Sequence, residues 1–280
     1  HAMIFSKIFN SIEGDYRHIN CRVVAVMGED EAASRAVADA CGVSVVSSPK
    51  EMLGAVDAVM VTSRNGGLHL RYARPFLEAG IPAFVDKPIA NDFAEAAEIA
   101  RLARASGAPL MGGSSTKLVP AVLRMASLRE AATADGTLLG GSVWAPLNMV
   151  NPYGGFYFYS SHLVEIALRI FGQRPASVIA NEARGSVAAL LRYPEFDVSL
   201  HFLQGAGHYG ATVHTAKASP TGPIDISECY LLEARAFAEM LATGAAHQPI
   251  EDLIRPVLIL NAIEEAYRTG APRHLPDVAL

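Results

Sequence analysis

The 280-residue chain is 51% hydrophobic and 18% charged, enough apolar material to bury one large core or two moderate ones without metals or disulfides. Its 23 lysines and arginines against 28 aspartates and glutamates leave a formal charge of −5; no basic block is present to grip a polyphosphate backbone, so nucleic-acid binding is disfavoured. No run approaches the roughly 18 consecutive apolar residues of a membrane span, and no basic stretch precedes an apolar one near the start, so the expectation is a cytoplasmic protein with no membrane association.

Met3, Ile4, Phe5, Ile8, Phe9 and Ile12 recur at helical spacing, predicting an opening helix over residues 3–12 that Gly14 and Asp15 end. Residues 21–27 form an apolar, β-branched run closed by Gly28, the pattern of a buried strand. A helix over 31–41 stops at Gly42. A strand over 43–46, a short helix over 49–53, a strand over 56–61, a helix over 68–79 capped by Gly80 and a strand over 83–85 follow. A helix over 93–106 then ends at Gly107, before a last strand over 109–113. Strands alternating with helices at this spacing predict an α/β, Rossmann-like, doubly wound parallel sheet. After about residue 120 the rhythm changes to a helix over 120–131, strands near 140–146, 176–182, 186–192, 197–203 and 211–217, and helices over 226–242 and 250–269. Strands in a run predict an α+β domain with a mostly antiparallel sheet, giving domains over 1–117 and 118–280. Three cysteines, Cys21, Cys41 and Cys229, lie at wide spacings with no C-x-x-C pair, which predicts free thiols and no structural metal.

In a sheet of order 3-2-1-4-5-6 the first strand is central and its turn carries the glycine-rich phosphate loop. Here the first element is a helix, and the strand at Cys21 runs into Gly28-Glu29-Asp30-Glu31. A missing central strand leaves unpaired edges in the core, so the expectation is that roughly 10 to 20 residues precede His1 in the native protein, the length of a strand plus turn. A helix-first domain of another topology is the alternative.

Two constellations carry the chemistry. In Phe84-Val85-Asp86-Lys87-Pro88 an apolar strand ends in an acid, a lysine and a proline. Ligands bind at the carboxyl ends of such strands, where a lysine can hold a proton for a substrate oxygen or orient the reacting carbon. A solvated Asp–Lys pair at a strand end is the other reading. In Gly154-Gly155-Phe156-Tyr157-Phe158-Tyr159-Ser160-Ser161-His162-Leu163-Val164-Glu165, one histidine, two tyrosines and an acid surround a helix start. His162 and Glu165, three residues apart, share a face there.

Together with Thr62-Ser63 after the strand 56–61, and Leu77-Glu78-Ala79-Gly80-Ile81-Pro82 before the lysine strand, these motifs resemble the Gfo/Idh/MocA family of glucose-fructose oxidoreductases and inositol dehydrogenases, from about Cys21 to Gly270. The resemblance implies an oxidoreductase that uses NAD or NADP on a small carbohydrate-like substrate, a sugar, cyclitol or related hydroxy or keto compound. It further implies that Lys87 and His162 are catalytic, the lysine positioning and the histidine moving the proton. Thr62, Ser63, Asp86, Lys87, Pro88 and Glu29 would contact the cofactor, and Lys117, Tyr159 and Glu165 the substrate. The second sheet is expected to form a homodimer or homotetramer. The sequence departs from the family at several places. Phe158 stands where an aspartate often precedes the histidine, Glu165 replaces a usual aspartate, and Arg64-Asn65-Gly66-Gly67 before His69 differs from T-P-N-x-x-H. A catalytically impaired dinucleotide-binding sensor is therefore the rival reading. A lyase or hydrolase holding its nicotinamide tightly is a third.

Other patterns carry less. Ser114-Ser115-Thr116-Lys117 satisfies S-x-x-K, yet no S-D-N or K-T-G accompanies it. His208 and His214, read as one face of a strand, are roughly 20 Å apart at strand rise, too far to share a metal. The aromatic run Phe156 to Tyr159 suits either sugar stacking or core packing.

Overall fold

The computed structural model describes residues 1–11 and 19–278. Its first part is a set of parallel strands with helices between them. β1 (Ala25–Val26) pairs in parallel with β2 (Ser44–Val45), and β3 (Val59–Val61), β4 (Ala83–Asp86) and β5 (Leu110–Gly113) form a second parallel sheet in that order. Helices α1 (Ala2–Asn10), α2 (Glu31–Cys41), α3 (His69–Glu78) and α4 (Phe93–Ser106) connect and cover them. Local signals set the helix ends. Asp30 and Asp92 accept from the first-turn amides of α2 and α4, and Gly42 and Gly107 close the same helices in the left-handed conformation.

No strand among the described residues joins β1 to β3, so the parallel array is split where the central strand of a 3-2-1-4-5-6 order would run. The apolar face of α1 packs beside this break: Phe5, Ile8 and Phe9 meet Phe84 and Met111 of the sheet and Phe237 and Met240 of α7 (Cys229–Thr243). Phe5 contacts Phe84 edge-on at a centroid distance of 5.6 Å.

Several boundaries depart from expectation. The opening helix ends at Asn10, and Gly14 and Asp15 lie outside the described residues. The strand expected over 21–27 shrinks to two residues because the Asn10 amide takes both backbone groups of Val23, donating to its carbonyl and accepting from its N–H. Helical structure before His162 begins at Tyr157, where the sequence pattern shows apolar spacing only from Ile166.

The second part is a seven-stranded sheet of order β11-β10-β6-β9-β8-β7-β12. Its strands are β6 (Leu138–Leu147), β7 (Ser177–Ala183), β8 (Ser186–Arg192), β9 (Asp197–Gln204), β10 (Tyr209–Thr215), β11 (Thr221–Ile224) and β12 (Arg273–His274). All neighbours are antiparallel except β6 and β9, which run parallel because the chain returns to lay β9 between β6 and β8. β11 and β12 escape the sequence pattern because they are short edge strands with little apolar alternation. His208 precedes β10, so it does not share a strand face with His214. Helices α5 (Pro120–Ala134), α6 (Tyr157–Phe171) and α8 (Ile250–Thr269) complete the chain. One sheet face buries Val143, Ala145, Val187, Leu191, Leu200 and Phe202 against α6 and α8. α8 also reaches the first core, where Leu253, Ile254 and Val257 pack with Ile99 and Ala103 of α4. At about 25 cal/mol per Å² of apolar surface, this shared burial is what fixes α6 against the carboxyl ends of β4 and β5. No helix among the described residues is long and apolar enough to cross a membrane. All three cysteines are free thiols.

Candidate active site

β4 is fully buried through Asp86, and the chain stays buried through Ala90. The strand therefore delivers Lys87 into the space between the two parts of the molecule. There α6 meets it: the Lys87 ammonium donates to the Phe158 carbonyl at 3.0 Å and lies 4.0 Å from the centroid of the Phe158 ring. Burial lowers the Lys87 pKa, and the Asp86 carboxylate offsets part of that loss. Asp86 is itself buried. Burial pushes its carboxyl up, but the His1 hydrogen bond and charge, with Lys87, outweigh this and hold it below the usual carboxylate range. The other ring nitrogen of His1 lies 2.8 Å from the Tyr230 hydroxyl, tying α7 into the cluster.

His162 lies one helical turn after Phe158, 9% exposed. Its Nδ1 is 2.7 Å from the Ser114 hydroxyl, and its ring packs edge-on to Tyr209 at 6.0 Å and near Tyr159 at 6.4 Å. Burial, reinforced by the positive Lys87, pushes its pKa well below 6.5, so the imidazole is neutral at ordinary pH. Tyr159, half-buried, also meets Phe158 edge-on at 4.8 Å.

Lys117 and Glu165 form a buried ion pair at 2.8 Å beside this group. The ammonium also donates to the Gly112 carbonyl at 2.8 Å, and the second carboxylate oxygen accepts from the Ser114 amide at 2.7 Å. Gly113 makes room for the carboxylate: a Cβ there would stand 2.4 Å from Glu165 Oε2, at a φ of +79°. Lys87, Asp86, His162, Lys117, Glu165 and Tyr159 are thus gathered at one place, with Lys117 and Glu165 bonded to each other and to backbone.

Thr62 and Ser63, half-buried, follow β3, the strand beside β4. His69 is buried behind them and pins two loops, one ring nitrogen 2.8 Å from the Ser63 carbonyl and the other 3.3 Å from that of Ile89; burial lowers its pKa. Pro88 is buried against Gly66, where a Cβ would come within 2.7 Å of its ring. Glu29 stands apart from this cluster, exposed after β1, accepting from the Tyr72 hydroxyl at 2.8 Å with Arg71 at 3.9 Å. Asp30 serves as the α2 cap.

Sequence reasoning missed three features. Ser114 appeared there only as part of a four-residue motif, and its contact with His162, 48 positions away, has no local signature. Glu233, on α7, is 1% exposed with one carboxylate oxygen unpartnered; burial and the repulsion of Asp86 raise its pKa well above the carboxylate range. Its only sequence clue is an acid on the apolar face of a helix. The run Gly205-Ala206-Gly207-His208-Tyr209-Gly210 spells G-x-G-x-x-G, but it joins β9 to β10 and so offers no helix N-terminus to a pyrophosphate. Among the described residues no such turn joins a strand to a helix. No group of metal-ligating side chains occurs among them either.

Residues 6–114 match the model of an oxidoreductase family with an NAD-binding Rossmann fold. No curated protein matches the sequence. Among solved structures, a putative myo-inositol dehydrogenase from Sinorhizobium meliloti 1021 aligns over 98% of this chain and 96% of its own, at 19% identity and a TM-score of 0.80. GenD2 from gentamicin A biosynthesis, in complex with NAD, aligns over 98% and 93% at 16% identity and 0.83. Scyllo-inositol dehydrogenase from Lactobacillus casei, with bound NAD(H) and scyllo-inositol, aligns over 97% and 95% at 16% identity and 0.81. At these identities the likeness is one of fold.

Proposed function

We propose, from the match of residues 6–114 to the model of an oxidoreductase family with an NAD-binding Rossmann fold, that this protein is a Gfo/Idh/MocA oxidoreductase that interconverts an alcohol and a ketone on a cyclitol or sugar-like substrate with NAD(P). The observation that carries the reading is the convergence of Lys87 and the neutral, buried His162 at the carboxyl ends of β4 and β5. The donor set fits the two ends of a dinucleotide. Glu29 after β1 offers a carboxylate to a ribose diol, and Thr62 and Ser63 after β3 offer hydroxyls toward the space beside Asp86, Lys87 and Pro88. A bound nicotinamide supplies the hydride acceptor or donor.

The protein's own residues do the rest. Lys87, held by Phe158 and charged beside Asp86, orients the substrate oxygen and stabilises negative charge developing on it. His162 exchanges a proton with that oxygen through Nε2, because Nδ1 is occupied by Ser114. Tyr159 contributes an aromatic face for a sugar ring, and Lys117 and Glu165 support the wall behind His162. The rival reading, a dinucleotide-binding sensor, draws on Phe158, whose carbonyl and ring occupy the Lys87 ammonium. Titration with NADH and NADPH by fluorescence, followed by turnover on a panel of cyclitols and sugars, tests both. Turnover that Lys87→Ala and His162→Ala each abolish supports the enzyme; cofactor binding with no turnover across the panel supports the sensor.

A further inference from the structure

The protonation of His162 is controlled from behind the ring. Among the described residues one group stands within hydrogen-bonding distance of its Nδ1, the hydroxyl of Ser114, at 2.7 Å, and no carboxylate. Glu165, the acid one turn further along α6, is committed to Lys117 and to the Ser114 amide. That amide bond fixes where Ser114 stands. Ser114 is fully buried, and its oxygen has two further neighbours, the Thr116 hydroxyl at 2.6 Å and the Thr116 amide at 3.3 Å.

Counting protons decides the arrangement. The Thr116 amide can only donate, so it takes one lone pair of Ser114 Oγ. Among the described residues the Thr116 hydroxyl hydrogen-bonds only Ser114. If Thr116 donates to Ser114 and Ser114 donates to His162 Nδ1, every buried O–H is used. If His162 donates from Nδ1, Ser114 must donate to Thr116 and the Thr116 proton is left without an acceptor in a 1% exposed position. We propose that Ser114, backed by Thr116, is a positioning residue that donates to Nδ1 and holds neutral His162 with its proton on Nε2, facing the cleft. The imidazole then offers an N–H to a ketone oxygen. Accepting an alcohol proton at Nε2 requires the other neutral tautomer: the ring proton leaves Nε2 for solvent, Nδ1 takes one up from solvent, and both hydroxyls turn so that Ser114 accepts from Nδ1–H; the alcohol proton then binds Nε2 and leaves an imidazolium.

This assignment rests on the proposed role of His162 as the residue that exchanges the substrate proton, but it is tested without turnover. In the ¹⁵N-labelled apoprotein at pH 7.5, two-bond histidine correlation spectra are expected to show His162 with an acceptor-type Nδ1 and a protonated Nε2. Ser114→Ala should shift the ring toward the opposite tautomer or an average of the two, while Ser114→Thr, which keeps a hydroxyl, should restore the original pattern. Thermal melts establish that each variant is folded, and Ser114→Thr alone decides the matter if Ser114→Ala does not fold, since it must retain an acceptor-type Nδ1. A protonated Nδ1 in the unsubstituted protein, or unchanged His162 shifts in a folded Ser114→Ala, overturns the proposal. With a substrate found in the panel above, Ser114→Ala should lower kcat about tenfold or more with KM nearly unchanged, and Ser114→Thr should recover much of it. A tautomer that responds to Ser114 in a protein that turns over nothing would sink the proposed catalytic role and leave the positioning assignment standing.

Discussion

The Lys117–Glu165 pair holds the wall on which His162 and Ser114 stand, and Lys117→Met isolates its contribution. The side chains are 11% and 4% exposed and 2.8 Å apart, and the ammonium and carboxylate also bond the Gly112 carbonyl and the Ser114 amide. Methionine fills the space of the lysine stem but leaves the Glu165 carboxylate buried without its cation, a loss of about 3–5 kcal/mol for breaking a buried pair from one side. With an unfolding entropy of ~2.1 cal/mol/K per residue, a chain of 280 residues should lose about 5–8 °C in Tm. The double variant Lys117→Met/Glu165→Leu removes both charges and should recover at least half of that drop, because two apolar groups of similar volume replace a costly desolvated pair. Calorimetry at pH 7.5 on the two variants measures this. A Lys117→Met melt within about 1 °C of the unsubstituted protein, or a double variant less stable than the single one, would refute the argument that the pair is desolvated and mutually dependent.

Other predictions follow from the same geometry. Lys87→Ala and His162→Ala should each reduce turnover by about 10²–10⁴ while leaving NADH binding measurable, as read by steady-state kinetics and fluorescence titration. Glu29→Ala should weaken NADH more than NADPH by removing the acceptor after β1; equal loss for both would detach Glu29 from the ribose. Gly112→Ala would place a Cβ 1.8 Å from the Val85 carbonyl oxygen at a φ of +149°, so it should separate β5 from β4 and cost about 3 kcal/mol or more in denaturant unfolding. Three buried groups set opposing pH slopes. His162 and His69 have lowered pKa values in the folded chain, so stability should fall as pH drops below about 6.5, where the unfolded chain takes up protons they refuse. Glu233 has a raised one, so the folded state binds the extra proton and stability should fall as pH rises above about 4.3 toward its folded pKa. Glu233→Gln should flatten that second slope in melts across pH 4–9. Light scattering is expected to return a dimer or tetramer, since Ile179, Leu190, Trp144, Pro146 and Leu203 lie half-exposed on the open face of the large sheet; a monomer would contradict the expectation.

The local pattern of the chain determined the alternation of short strands with helices capped at Asp30, Asp92, Gly42 and Gly107, because capping and apolar periodicity act within a few residues. It also determined that Lys87 ends a buried strand, since an apolar run must stop where a charge and a proline follow. Tertiary structure alone decided what each polar group does. Glu29 and Asp30 are adjacent acids after the same strand, yet one caps α2 and the other meets Tyr72 and Arg71. Val23 reads as strand and is paired by a side chain from α1. Lys117 and Glu165, 48 residues apart, find each other only when α6 packs against the turn that follows β5, and the same approach brings Ser114 to His162. Glu233 becomes a buried acid only when α7 closes beside Asp86. These partnerships depend on distances set by the burial of whole helices, so no spacing in the sequence encodes them, whereas the elements that carry them are written in steps of two, three and four residues.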